Sequence, residues 1–488
     1  MMWNRAWSWG SLVLLLQIGL NFHSAQPASP SEPEEICPAQ LEEAIAQITD
    51  APQFRQVRWG ILVQTIGDAQ TLYAENANRP FIPASNAKLL TTAAALTQLT
   101  PSFRFRTSIY QTSLPGEPIQ LRVIGRGDPS LTEIELQQLA QQLRSQGVTQ
   151  VNRLILDDQY FRGNPVHPSW EAEDLQQGYG APANSLILNQ NAINLTLIPR
   201  QLGEPLQVVW ENPNDRQGWQ INNYSQTVAA DAPEFIEVGR NSSRRIIWIK
   251  GQLRAGSAAE PVAVSVPQPV QHFGDRFQQI LEAKRIQIRQ KLIADDPLPA
   301  GANEIAAVES APLVDLLRET NQKSNNLYAE VLLRSLGMTH TANASDSRAD
   351  GLEATHAILT DLGIATAQYS LLDGSGLSRQ NQASPLVLVE TLQAMVRSPY
   401  AEAYSSSLAV AGISGTLKNR FQASEVRGRL QGKTGYMGGV AALSGYLQPS
   451  GFQPLGFSIL VNQPRHSVVQ VEQAIDQIVE TLFDLRSC

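Results

Sequence analysis

Phe81-Ile82-Pro83-Ala84-Ser85-Asn86-Ala87-Lys88-Leu89-Leu90-Thr91-Thr92-Ala93-Ala94-Ala95-Leu96 is the stretch from which the rest of the chain is best read. Pro83 interrupts whatever precedes it, and Ser85 suits the N-cap or first turn of a helix. Alanine and leucine then occupy nearly every face, so the pattern predicts a helix buried all round. Ser85 and Lys88 are three residues apart, on one face at the helix start. A lysine there is costly unless it is paired or used, and burial together with the positive helix end favours its neutral form. A neutral amine beside a serine hydroxyl is a base that can make the serine a nucleophile. Alone, the same spacing also fits an N-cap serine followed by a snorkelling surface lysine.

Two later stretches decide between these readings. In Lys323-Ser324-Asn325-Asn326-Leu327-Tyr328-Ala329-Glu330, Ser324 can relay a proton and Asn326 can grip a peptide bond. Taken singly, this is an ordinary helix start. Gly432-Lys433-Thr434-Gly435-Tyr436-Met437-Gly438-Gly439 reads as a strand whose small residues let a ligand approach. Lys433 and Thr434 there offer a cation and a hydroxyl to a carboxylate. Together and in this order, Ser-x-x-Lys, Ser-x-Asn and Lys-Thr-Gly form the signature shared by penicillin-binding proteins and serine β-lactamases.

The rest of the chain frames these motifs. At 488 residues it has material for two or three domains. Charged residues are 17 % and the net charge is -8, with no basic run, which argues against a nucleic-acid partner. Arg5, the apolar run Ser11 to Leu20 and His23-Ser24-Ala25 read as a signal peptide over 1–25, and 26–36 as a disordered leader. The run is short for a membrane span, so no firm anchor is expected. The two cysteines, Cys37 and Cys488, either pair and tie the first helix to the last or remain free thiols. Neither they nor the six histidines have metal-ligand spacing.

A strand pair around Gly67-Asp68 and the buried helix predict an α+β core. Strand-rich sequence between 103 and 302 reads as an insertion of two nested domains, leaving 37–102 and 303–488 as the catalytic domain. Within the insertion, Thr132-Glu133-Ile134-Glu135 opens a helix with a capping box. Further helices are expected at Asn326 to Ser335, ended by Gly337, and at Val468 to Leu485. The latter carries an acidic stripe. Asp157-Asp158 and Asp373 to Arg379 read as turn and domain-interface residues, and Lys418 and Arg420 as further candidates for the cleft.

With its long insertion, the chain resembles the class C low-molecular-mass penicillin-binding proteins, which are D-alanyl-D-alanine carboxypeptidase/endopeptidases. The resemblance runs through most of the mature chain. It includes Gly125-Arg126-Gly127-Asp128-Pro129, Leu156 to Phe161, Asp373 to Arg379, Ser414-Gly415-Thr416-Leu417 with Arg420, and Gly432 to Tyr446. It implies a penicillin-binding/β-lactamase-like transpeptidase domain, an antiparallel sheet with helices. Ser85 would be the nucleophile, Lys88 its base, and Ser324, Asn326 and Lys433 further catalytic groups. Thr434, Gly435, Tyr436 and Met437 would bind substrate, with the oxyanion held by the Ser85 and Tyr436 backbone N–H groups. In the insertion, Trp170, Asp174 and Tyr179 would receive the ammonium of a diaminopimelate side chain.

The implied substrates are peptidoglycan stem peptides ending in D-Ala-D-Ala, with β-lactams as covalent inhibitors and no cofactor or metal. Export to the periplasm or another extracytoplasmic space follows from the same reading. A β-lactamase or esterase of the same superfamily and a non-catalytic peptidoglycan-binding scaffold are the competing readings. A solute-binding protein would leave the three motifs as coincidence.

Overall fold

The computed structural model describes residues 35–113, 116–241, 245–340, 345–462 and 468–488. The signal peptide and nearly all of the leader expected at the N-terminus lie outside these residues. Ile36, counted with the leader, belongs instead to the folded body. Its backbone N–H donates to Asp484 O at 3.1 Å, and its carbonyl accepts from Arg486 N at 3.0 Å.

The strands nearest the two ends of the folded chain meet in one six-stranded sheet. Its order is Ala409–Val410, Leu430–Met437, Val440–Leu447, Leu455–Asn462, Arg58–Thr65 and Thr71–Glu75. Every neighbour is antiparallel. Arg58–Thr65 and Leu455–Asn462 read as nearly continuous apolar runs because helices cover both faces of the sheet. Helices Leu41–Thr49 and Val468–Phe483 supply one apolar layer, with Leu41, Ile45, Ile475 and Ile478 against Ile61 and Ile459. Helix Ala87–Leu99 lies in the other layer and is buried at Ala87 to Leu96 and Leu99.

Cys37 and Cys488 are joined, with Cα atoms 5.8 Å apart across 451 residues of sequence. The bond fastens the segments beside the first and last helices. Replacing Cys37 by Ser is expected to lower unfolding stability by about 2–5 kcal/mol. A denaturant titration of oxidised wild type against the variant checks this.

The residues after 103 build a separate five-stranded mixed sheet. Its order is Gln287–Ile293, Gln150–Asp157, Gln120–Ile124, Arg106–Gln111 and Asn303–Glu309, with helices Glu133–Ser145 and Pro269–Ala283 packed on it. Asn303–Glu309 pairs with Arg106–Gln111 rather than with the six-stranded sheet, so the region expected to be inserted up to 302 extends past that bound. Nested inside are two three-stranded sheets around a core of their own that includes Ile193, Leu195, Ile247 and Ile249. Thr132 caps its helix as the motif requires: its backbone N–H donates to Glu135 Oε2 at 2.8 Å, and its Oγ1 accepts from Ile134 N at 3.2 Å.

Two expectations for the catalytic domain are corrected. Helix Asn326–His340 passes through Gly337 instead of ending there. A Cβ at Gly337 would lie 2.2 Å from Ser347 O, and one at Gly351 would lie 2.0 Å from Leu333 O, so these glycines set a close crossing with helix Ser347–Asp361. Arg420 does not reach the cleft. It pairs with Asp476 (Nε to Oδ1 3.0 Å) and Glu472, using two members of the acidic stripe to dock the last helix. Lys418 is solvent-exposed and likewise does not line the cavity described below.

Candidate active site

The turn that precedes helix Ala87–Leu99 holds Ser85 at the mouth of a cavity of about 390 Å³. Ala84, just before it, has φ 46°, a left-handed conformation that costs an L-residue about 1–3 kcal/mol and is held here by its surroundings. The third motif strand presses on this turn. A Cβ at Gly435 would come 2.7 Å from Pro83 O, so only glycine admits that approach.

Lys88 is fully buried one helical turn further on. Its Nζ lies 2.6 Å from Ser375 O, 2.7 Å from Asn326 Oδ1 and 3.0 Å from Ser85 Oγ. The first two groups can only accept, so they take two N–H bonds. In the neutral amine, the remaining lone pair is left for the Ser85 hydroxyl proton. Burial lowers the Lys88 pKa to about 7, against the opposing pull of the Asp373 and Glu330 carboxylates. Glu330 is itself pushed up to about 7, first by burial and then by Asp373.

The second and third motifs close the site from the other side. Ser324 has φ 58°, and its Oγ accepts from Lys433 Nζ at 2.9 Å. Burial holds the Lys433 pKa well below the usual lysine range, and the nearby Lys88 adds to this. Thr434 Oγ1 donates to Thr416 Oγ1 at 2.7 Å, which brings the Ser414-Gly415-Thr416 turn to the same strand. Asn326 spans the cleft, donating from Nδ2 to Tyr179 O at 3.0 Å. Asn325, the variable middle position, has work of its own. Its Oδ1 accepts from Tyr328 N at 3.3 Å, and its Nδ2 donates to Gln190 Oε1 of the insertion at 2.7 Å. It is thus Asn325, rather than Ser324, whose side chain caps the helix.

Of the residues expected from the insertion, Asp174 and Tyr179 line the cavity together with Ser85, Asn326, Tyr436 and Met437. The Tyr179 hydroxyl donates to Asp174 Oδ1 at 2.8 Å. Trp170 does not line it. The residue is buried, at 7 % exposed, and its Nε1 donates to Asp373 Oδ2 at 2.8 Å, which leaves no open ring face for an ammonium.

Asp373, expected as a turn and domain-interface residue, also organises the site's floor. Besides Trp170 it accepts from Gly376 N, Ser378 N and Asn381 Nδ2, all within 2.8 Å. The loop so fixed presents the Ser375 carbonyl to Lys88, while Glu330 accepts from Ser375 N at 2.8 Å. Arg379, at the end of this loop, also lines the cavity and donates to Gly438 O at 2.7 Å. The signal for this cluster was the density of Asp, Ser and Asn around two glycines, a loop built on side-chain-to-backbone bonds. Asp157 and Asp158 are likewise structural. Asp157 pairs with buried Arg122 at 2.7 Å, and Asp158 Oδ1 accepts from Ser185 N and Leu186 N.

A cavity-lining serine beside a buried lysine, completed by a second serine, an amide and a second lysine, defines a serine hydrolase of the acyl-enzyme type. Residues 41–483 match the model of the D-Ala-D-Ala carboxypeptidase 3 (S13) family. The chain is 32 % identical over 442 residues to the D-alanyl-D-alanine carboxypeptidase of Actinomadura sp. (strain R39), covering 87 % of this chain and 81 % of that one. It is 30 % identical over 453 residues to penicillin-sensitive carboxypeptidase A of Dictyostelium discoideum, covering 86 % of each. The fold matches that of penicillin binding protein 4 (dacB) from Haemophilus influenzae, with a TM-score of 0.77 at 22 % identity, over 90 % of this chain and 98 % of the other. The chain belongs to the D-Ala-D-Ala carboxypeptidase 3 (S13) family, and it is a serine-type peptidase with an α+β penicillin-binding-protein fold.

Proposed function

We propose that the protein removes the terminal D-Ala from peptidoglycan stem peptides through an acyl-enzyme on Ser85. The observation that carries this is the Lys88 amine, whose two N–H bonds are committed to Asn326 and Ser375 while its third direction faces Ser85 Oγ. Ser85 Oγ attacks the carbonyl carbon of the D-Ala-D-Ala bond and passes its proton to Lys88 Nζ. The C–N bond then breaks, and the leaving amine of D-Ala takes a proton through Ser324, which Lys433 supports. Water attacks the ester, gives a proton back to the site, and frees Ser85.

Lys433 and Thr434 receive the terminal carboxylate, and backbone N–H groups of Ser85 and Tyr436 hold the oxyanion. Asp174 and Tyr179 line the wall that a diaminopimelate side chain would meet, and its ammonium would face the Asp174 carboxylate. The same chemistry cuts a cross-linked stem peptide when the leaving group is a longer amine, which is the endopeptidase form of the reaction. β-Lactams acylate Ser85 as covalent inhibitors. The Cys37–Cys488 bond favours an oxidising extracytoplasmic compartment such as the periplasm.

Release of D-Ala from a soluble peptide ending in D-Ala-D-Ala tests the reading directly. Turnover by wild type supports it, and rapid hydrolysis of penicillin with no D-Ala release would assign a β-lactamase instead. Lys433→Ala is expected to cut kcat/KM about 10–100-fold, lowering kcat as well as raising KM, because it removes both the donor to Ser324 Oγ and a donor to the carboxylate. Steady-state kinetics on that peptide separates the two constants.

A further inference from the structure

The nested lobe has a surface that the acyl-transfer chemistry does not use. Its sheet of Gln220–Val228, Ile246–Arg254 and Phe235–Asn241 buries one face through Ile247, Ile249 and Val238. The opposite face is aromatic: Tyr224 is 65 % and Phe235 53 % exposed, and Trp248 is half-buried. In the strand register Trp248 stands opposite Gly239, Tyr224 is level with Lys250, and Phe235 is opposite Gln252. A Cβ at Gly239 would lie 2.1 Å from Trp248 Cζ2, so the missing side chain lets the indole lie across the neighbouring strand. Ordinary strand spacing and rise place the Cα atoms of the three residues about 8–14 Å apart.

Charge and shape narrow the ligand. Lys250 Nζ lies 5.0 Å from the centre of the Trp248 ring and its strand position is opposite Glu237, while Arg254 is paired with Glu234 at 2.6 Å, so among the described residues the face carries no excess of either sign. An anionic polymer or lipid surface finds nothing to neutralise there. The exposed amides of Asn222 and Gln226 flank Tyr224 along its strand. Aromatic faces for apolar C–H surfaces, with amides beside them for hydroxyl groups, suit the pyranose rings of a neutral polysaccharide.

The face is also tied to the catalytic cleft. Its edge strand accepts at Val238 O from Gln177 Nε2 at 2.5 Å, and Arg240 donates from N to Gln176 Oε1 at 3.2 Å and from Nη2 to Leu175 O at 2.9 Å. Asp174 and Tyr179, which wall the cavity, belong to this same short segment. We propose that the Tyr224–Trp248–Phe235 face binds the glycan strand whose stem peptide enters the cavity. This rests on the reading of that peptide as the substrate.

The test uses the full chain and glycan strands freed of their stem peptides by an amidase, so that the catalytic cavity is not engaged. Equilibrium binding compares wild type with the double variant Tyr224→Ala/Phe235→Ala and with Trp248→Ala. Each variant is expected to bind at least about tenfold more weakly, while D-Ala release from a short soluble peptide stays at the wild-type rate. The double variant changes only exposed side chains, so it carries the test if Trp248→Ala does not fold. Wild type that fails to bind, or a double variant that binds as tightly as wild type, would overturn the inference. So would a wild-type dimer in sedimentation that the double variant abolishes, which would assign the face to a second copy. Absence of D-Ala release by wild type would count against the peptidase reading alone and leave the binding result readable.

Discussion

Ser85→Ala is expected to lower D-Ala release by about 10⁴-fold or more while leaving the folded structure intact. The side chain is small and faces the cavity, so its removal deletes the attacking atom and leaves the core of helix Ala87–Leu99 unchanged. Lys88 would keep its bonds to Asn326 and Ser375. Binding of a stem-peptide substrate should therefore persist in the variant, and KM or Kd should move far less than kcat. Parallel loss of binding would mean that Ser85 positions substrate rather than attacking it. Steady-state release kinetics and equilibrium peptide binding on the same preparation separate the two.

Lys88→Ala is expected to cost about 10²–10⁴-fold in kcat/KM, the range for losing a positioned general base. Its distinguishing signature is in the pH profile. Lys88 acts as a base only when neutral, and burial brings its pKa down to about 7. Below that value the ammonium predominates and cannot accept the Ser85 proton. Wild-type kcat/KM should therefore rise with pH through about 7 and level off above it, and this limb should be absent from Lys88→Ala. A rising limb that persists in the variant would assign the titration to another group; Glu330, also raised to about 7, is the nearest such group. Glu330→Gln tells the two apart, because it keeps an acceptor for Ser375 N and removes the second titration.

Legibility in the sequence followed the physics of each element. The buried Ser85 helix was plain because alanine and leucine on all faces leave no solvent side. The three motifs were legible only together and in their order, and the structure brings Ser85, Lys88 and Asn326 into one hydrogen-bonded group beside the Lys433–Ser324 pair. Thr434, Gly435 and Tyr436 follow on the same strand. Strands such as Gln220–Val228 and Gln287–Ile293 were hidden by polar outward positions and by glutamine and asparagine, which are weak strand markers. Gly337 misled because glycine after a helical run normally ends it, whereas here it admits a second helix. Trp170 misled for another reason. An aromatic beside acids suggests a cation site, but whether its ring faces solvent depends on a partner, Asp373, 203 residues away in sequence.

The central claim is that Ser85 becomes covalently acylated. Intact-mass measurement after brief exposure to benzylpenicillin, followed by peptide mapping, tests it most directly. One penicilloyl group on the peptide containing Ser85, absent from Ser85→Ala and strongly slowed in Lys88→Ala, is the predicted result. An adduct on any other residue, or folded wild type that takes up none, would contradict it.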